Sequence, residues 1–261
     1  MTRNREAAPT QGDAAGTNHS FYQALWSQTR LESPERFNTW PLIEGLLPVC
    51  AKRLEVGPGL RPRLPIAGTH FIDIAATVIE RLNEQGALAR LGEVAALPFS
   101  DGEFDLVCAF DIIEHVEDHL GALAELSRVL QKDGVLILSV PIHARYWTVF
   151  DDLVGHVRRY DPAELDAILA QSGLVVEQSA SFGMQPNNPK LLKLGLWFLT
   201  HKRSAALFWY NWLLLPLGIL FQRRLKFEAG LLDTCRKSGV AEVVMVCRHK
   251  LGSGSVTFPP P

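Results

Sequence analysis

Four cysteines in 261 residues, with no Cys-x-x-Cys pair among them, exclude a disulfide scaffold and a thiolate zinc site. Cys50, Cys108, Cys235 and Cys247 read instead as reduced, buried thiols of a cytoplasmic protein. No histidine stands beside them at metal-ligand spacing, so the expected metal complement is none. Residues 1–18 lack an apolar stretch and read as a loose polar tail, not a signal peptide. Residues 251–261, rich in Gly, Ser and Pro, read as a second unpaired tail. The apolar run Ala205–Phe221 has seventeen residues and is broken by Asn211 and Pro216, short of the roughly twenty that a membrane-spanning helix needs. Acids are missing altogether from Lys190 to Lys226, where seven Lys and Arg stand.

What is present is a globular composition. With 47% apolar and 21% charged residues, the chain can bury a sizeable core as one domain carrying an insertion. It is organised around Arg53–Leu60, an apolar strand that ends in an acid and breaks into Gly57-Pro58-Gly59. Glycines there allow the φ angles of a sharp strand exit and let a ligand lie against bare main chain. A second strand, Thr69–Ile74, carries Asp73 at its tip, placed to accept hydrogen bonds from both hydroxyls of a ribose. A helix from Ala75 to Gln85, closed by Gly86, follows it. Only ten residues, Leu60 to Thr69, link the two strands. They hold Pro62 and Pro65 and leave no room for a crossover helix, yet an extended segment of that length, about 33 Å, can return along a short strand.

Asp101-Gly102 launches Phe104–Phe110, apolar enough to be buried on both faces as a central parallel strand. A helix from Asp118 to Leu130 with Leu120, Leu123, Leu126 and Leu130 as its buried stripe leads to the strand Val135–Val140. The alternation of strand and helix makes the fold class α/β. Before it, residues 19–50 read as two helices, divided by Pro34 and Pro41, that pack on the sheet edge or, as a second reading, form a lid over a bound ligand. After it, Pro141–Asp161 leaves the edge where the strands end and walls the substrate site. His115, His143 and His156 are the candidate bases, with His156 preferred.

Residues 53–142 resemble the class I S-adenosylmethionine-dependent methyltransferases, in the branch of the quinone-biosynthesis methyltransferases. The likeness lies in Glu55-x-Gly57-x-Gly59, Asp73, Gly92-Glu93, Leu97-Pro98-Phe99, Phe104-Asp105-Leu106-Val107, Glu114-His115-Val116 and Glu125–Leu130 before Asp133-Gly134. It implies a doubly wound, seven-stranded, mostly parallel sheet whose last strand is antiparallel. It implies S-adenosyl-L-methionine as cofactor, with Gly57 and Gly59 under the methionine, Asp73 on the ribose, Glu93 on the adenine amino group and the Val94 amide on the ring. Phe110 and Asp111 border the methionine end, and Glu55, Pro58 and Ile74 complete the set. Arg61 stands where the family has a third glycine, and its side chain is placed either on the methionine carboxylate or in solvent.

With Leu174–Ala180 as the sixth strand and Ala241–Arg248 as the last, the resemblance makes residues 183–240 emerge on the ligand edge as a helical cap. The methyltransferase domain is then 19–182 and 241–250. The cap is basic, apolar and aromatic. It is expected to roof the acceptor site and rest on an anionic membrane surface, or to pack as core or as a homodimer interface. Its cations flank apolar runs instead of lining a polar helix, which argues against nucleic acid. The reaction expected is methyl transfer to a small apolar, amphipathic or lipid-like acceptor, at oxygen ahead of carbon or nitrogen. A nicotinamide-dependent oxidoreductase, or a non-catalytic membrane-associated module on the same fold, are the other readings of these residues.

Overall fold

The computed structural model describes residues 22, 25–26, 29–183 and 189–250. The two expected tails and part of the first expected helix lie outside these residues. Strands β1 (Arg53–Val56), β2 (His70–Asp73), β3 (Leu88–Leu91), β4 (Phe104–Phe110), β5 (Leu130–Pro141), β6 (Leu174–Ser181), β7 (Glu228–Ala229) and β8 (Glu242–His249) form one sheet in the order β3-β2-β1-β4-β5-β8-β6-β7. Neighbours from β3 to β5 pair in parallel, and β8 runs antiparallel between β5 and β6. The two-residue β7, paired antiparallel with β6, is an eighth strand that periodicity could not reveal at that length.

β4 shows how the sheet is held. Leu106 and Cys108 pack on one face with Ile43 and Leu46 of helix α1 (Trp40–Leu46), while Val107 and Ala109 join the core on the other face. Alternation along a strand sends successive side chains to opposite faces, so a continuous apolar run is what burial on both faces demands. α1 therefore lies across a face, not along the edge. Helix α2 (Ala76–Asn83) covers β2 through Val78 and Leu82. Helix α3 (His119–Val129) is capped by the Asp118 carboxylate, which accepts from the Gly121 amide at 2.9 Å. Its buried stripe is Ala122, Leu123, Leu126 and Val129, and Leu120 is 44% exposed. Leu123 and Leu126 of the expected stripe are buried, and Leu120, in the first turn, is not. β5 starts at Leu130, and its register against β4 shifts between the Leu130 and Val135 pairings, so 131–134 bulge out of the strand.

Helices α4 (Val149–Val154) and α5 (Pro162–Gln171) follow β5. Between β6 and β8 come α6 (Pro189–His201), α7 (Arg203–Trp209), a π-helical turn (Tyr210–Leu214), α8 (Leu215–Leu220) and α9 (Leu232–Cys235). Leu207 and Tyr210 pack with Leu25, Trp26, Leu60 and Val154, so this insertion reaches the glycine corner. No described helix is long and apolar enough to cross a membrane. All four cysteines are free and buried.

Candidate active site

The site is built at the carboxyl ends of β1, β2 and β4. Gly57 (φ 67°) and Gly59 (φ 53°) turn the chain through the left-handed region that side chains disfavour. The Gly57 amide donates to the Ile72 carbonyl at 2.7 Å, and the Gly59 amide donates to the Asp73 carboxylate at 3.0 Å. Asp73's other oxygen accepts from the Ala75 amide at 2.9 Å. Burial pushes the Asp73 carboxyl above its ordinary range, and the Ala75 and Gly59 amides pull against that. The acid thus braces the corner at the tip of β2.

A Cβ on Gly57 would meet the Ile112 side chain, and one on Gly59 would meet the Trp26 ring. The cradle is bare main chain roofed by these two side chains. Beside it Ile74 is 46% exposed, Val94 is buried and Glu93 is exposed, while Pro58 is buried. A backbone cradle, a buried acid at the ribose position and an exposed apolar neighbour fit S-adenosylmethionine. Trp26 was expected among helices on the sheet edge, but it lies on the ligand corner, stacked with Tyr22 at 5.8 Å between ring centroids.

Two sequence assignments change. Glu55 is buried, and its carboxylate accepts the Arg63 amide with both oxygens at 3.0 Å and the Leu64 amide at 2.9 Å. Burial pushes its carboxyl up to about 7, with the Leu64 and Arg63 amides pulling it down. It pins the extended link that stands in place of a first crossover helix. Arg61 neither faces a carboxylate nor solvent alone: it donates to Asn211 Oδ1 at 2.9 Å and to the Tyr210 hydroxyl at 3.3 Å. Its guanidinium lies 5.3 Å from the Trp26 ring centroid. The residue in the third-glycine position ties the insertion to the corner.

Past β4, Asp111 (φ 53°) and the 3-10 turn Ile113–His115 enter the crevice. A non-glycine residue in the left-handed region at a strand end is stored strain, held here by neighbours. The Asp111 amide donates to the Ser139 carbonyl and hydroxyl, and the Ser139 hydroxyl donates to Asp111 Oδ1 at 2.7 Å. Burial raises the Asp111 carboxyl, and Ser139, His156 and Arg63 lower it. Phe110 is partly buried and near Phe182, with ring centroids 5.9 Å apart.

Gly155–Tyr160 proves to be a clamp on the turn after β4. The Val157 amide donates to the Glu114 carbonyl at 2.9 Å, the Tyr160 hydroxyl to the Ile113 carbonyl at 3.2 Å, and Arg158 to the Val116 and Glu117 carbonyls at 2.6 and 3.0 Å. Gly155 ends α4 in the left-handed conformation, and the chain doubles back to place His156. His156 Nδ1 is 2.8 Å from Asp151 Oδ1, and its Nε2 is 3.9 Å from Glu114 Oε1. Asp151 is fully buried and also takes both arms of Arg159, at 2.8 and 3.1 Å, and the Thr148 amide at 2.7 Å. Burial would raise its carboxyl, but the bonds from His156, Arg159 and Thr148 outweigh it and leave the group at about 2.

His115 stacks edge-on to His156 with ring centroids 4.6 Å apart, and its Nδ1 is 3.2 Å from the Gly155 carbonyl. Burial and then the neighbouring His156 push its imidazole down to about 3. His143 (φ 60°) lies elsewhere: its Nε2 is 3.1 Å from the Cys235 carbonyl, under α9. Of the three candidate histidines, the structure brings two together. Sequence reasoning missed Asp151 and Arg159, for which the only signal was an acid five residues before His156, and left Glu114 without a role.

With that geometry in view, the chain can be set beside known proteins. Residues 55–138 match the family model described as a methyltransferase domain. A probable S-adenosylmethionine-dependent methyltransferase of Mycolicibacterium smegmatis is 34% identical over 92 residues, 34% of this chain and 36% of that protein. A demethylmenaquinone methyltransferase of Mycolicibacterium vanbaalenii is 29% identical over 103 residues, 38% of this chain and 44% of that protein. The chain thus spans under half the length of these curated relatives. A Thermotoga maritima S-adenosylmethionine-dependent methyltransferase, described as a possible histamine N-methyltransferase, has the same fold with a TM-score of 0.54. It is 15% identical, over 92% of this chain and 96% of that one.

Proposed function

We propose that the chain, whose residues 55–138 match a methyltransferase domain, transfers the methyl group of S-adenosylmethionine to an oxygen of a small apolar or amphipathic acceptor. The observation that carries this is the Gly57–Gly59 corner braced by the Asp73 carboxylate at the ends of β1 and β2. The cofactor supplies a methyl already activated on a sulfonium, so the chain's work is to align the acceptor and handle its proton. Gly57, Pro58, Gly59, Asp73, Ile74, Glu93, Val94, Phe110 and Asp111 hold the cofactor in this reading. His156, oriented by Asp151, takes the acceptor proton. The finer reading of an acceptor of the quinone type draws on the Glu114-His115-Val116 likeness and on one relative's name.

Calorimetry tests the cofactor. S-adenosylhomocysteine binds and NAD does not, and Asp73→Ala weakens the former by about 1.5–3 kcal/mol, the range for hydrogen bonds to a charged acceptor. Unchanged affinity in that variant rejects Asp73 as the ribose acid.

The insertion supports a cytoplasmic protein peripheral to a membrane. Trp197, Trp209, Leu214, Leu220 and Phe221 are more than half exposed, in a segment with seven cations and no acid. Such a face enters a headgroup layer while its cations meet anionic lipid. Cosedimentation with anionic liposomes at low ionic strength, lost at high salt, is the expected result. A chain that stays in the supernatant at low salt removes the membrane and leaves the insertion as a cap or dimer contact.

A further inference from the structure

Glu114 is fully buried, and among the described residues neither of its carboxylate oxygens has a hydrogen-bond partner. A buried acid without partners is costly, and a native fold keeps one only where something pairs with it. Its surroundings name the partner. One ligand atom each from Glu114, His115 and His156 lie within 4.8 Å of one another. Each imidazole has its Nδ1 taken by a fixed acceptor: the Asp151 carboxylate at 2.8 Å for His156, the Gly155 carbonyl at 3.2 Å for His115. The Asp151 carboxylate sets the Nδ1–H tautomer of His156 and turns its Nε2 toward Glu114 Oε1, 3.9 Å away, as outer-shell groups orient metal-bound histidines. His115 Nε2 also has the Tyr22 hydroxyl nearby, at 3.5 Å, the limit of a hydrogen bond.

The geometry points to a divalent transition-metal site formed by Glu114, His115 and His156, in the crevice beside the candidate methionine end. Two imidazoles and one carboxylate suit zinc, iron(II), cobalt(II) or manganese(II), and three protein ligands leave coordination positions open for an oxygen ligand. The surrounding charge favours a cation. The Asp111 and Glu242 carboxyls interact with Glu114, and Arg159 opposes them. Arg159 is itself paired with Asp151. The sequence reading required no metal because Glu114-His115 and His156 stand forty residues apart and no spacing rule links them. Cation binding is independent of the methyltransferase reading. Only its use rests on that reading, as a cation that holds an acceptor hydroxyl and so restricts the acceptor to molecules that offer one.

Cobalt(II) titration of the purified, chelator-treated full chain tests the site by its visible d–d spectrum, with zinc competition and S-adenosylhomocysteine calorimetry alongside. The expected result is saturation at one cobalt per chain, displaced by zinc, with a rise in Tm. Glu114→Gln keeps the shape of the side chain and removes the carboxylate ligand. It should abolish the spectrum together with the cation-induced rise in Tm. His156→Ala should weaken cobalt binding by about 100-fold or more, beyond the 10- to 100-fold typical of outer-shell changes. No spectrum in a chain that binds S-adenosylhomocysteine overturns the site and leaves the methyltransferase standing. A spectrum retained in Glu114→Gln overturns it equally. A cobalt spectrum in a chain that does not bind S-adenosylhomocysteine upholds the site and removes the methyltransferase reading.

Discussion

Replacing His156 with alanine should lower the methyl-transfer rate by about 10²- to 10⁴-fold, the usual contribution of a positioned proton acceptor, and leave S-adenosylhomocysteine affinity unchanged. The expectation follows from placement. His156 lies on the strand-end crevice with Nδ1 on Asp151 and Nε2 turned toward Glu114, while the glycine corner that would hold the cofactor draws on β1 and β2. An acceptor oxygen is a poor nucleophile while it keeps its proton, whereas the sulfonium needs no help. Loss of the imidazole should therefore appear in the rate and not in cofactor binding. His143→Ala, whose ring is committed to the Cys235 carbonyl, should turn over at the normal rate. Normal turnover of His156→Ala means alignment alone suffices. The cobalt titration of the same variant separates a histidine that accepts the proton from one that holds an ion acidifying the acceptor.

Asp151→Ala should be the most destabilising single change in this region, by about 3–5 kcal/mol, because it leaves the Arg159 guanidinium buried without its counter-charge. Arg159 retains a bond from Nη1 to the Ala241 carbonyl at 3.1 Å, which satisfies one donor of five. The same substitution removes the capping box at the start of α4, where the Asp151 carboxylate takes the Thr148 amide. For a chain of this length the change corresponds to a fall in Tm on the order of 6–20 °C. Paired removal supplies the control. Asp151→Ala combined with Arg159→Leu deletes both charges and should recover part of the loss, as apolar replacement of buried ion pairs does elsewhere. Thermal unfolding in which Asp151→Ala loses less than about 1 kcal/mol would show the pair to be no stronger than a surface salt bridge.

Arg61 and Trp26 show how far local reading reaches. Arg61 was legible as a departure from a glycine, yet its partners Asn211 and Tyr210 follow about 150 residues later. Nothing near Arg61 in the chain announces them. Trp26 was legible as an apolar position of a helix, but a helical period says which residues share a face and not what that face covers. The structure puts its ring over Gly59. Leu120 marks a smaller failure of the same kind. Leu120 shares the spacing of Leu123 and Leu126, yet it is left exposed in the first turn of α3, and spacing alone does not say how far along the helix the packing extends.

The sequence by itself determined strands β1, β2, β4, β5, β6 and β8, the helices after β2 and β4, and the glycine corner with Asp73, but not β3 or β7. These rest on local causes: period two or 3.6, turn chemistry at Gly57 and Gly59, and an apolar run long enough to be buried on both faces in β4. The tertiary structure alone decided that Glu55 faces the link after β1, that Arg61 grips the insertion, and that Glu114 and His115 meet His156. The last two are contacts between segments distant in sequence, the first is made across a turn of eight to nine residues, and in each the direction a side chain takes is set by the path of the backbone around it. Burial belongs to the same class. Whether a carboxylate such as Glu114 or Asp151 is stranded or paired depends on what packs over it, and so its chemistry exists only once the chain has closed around it.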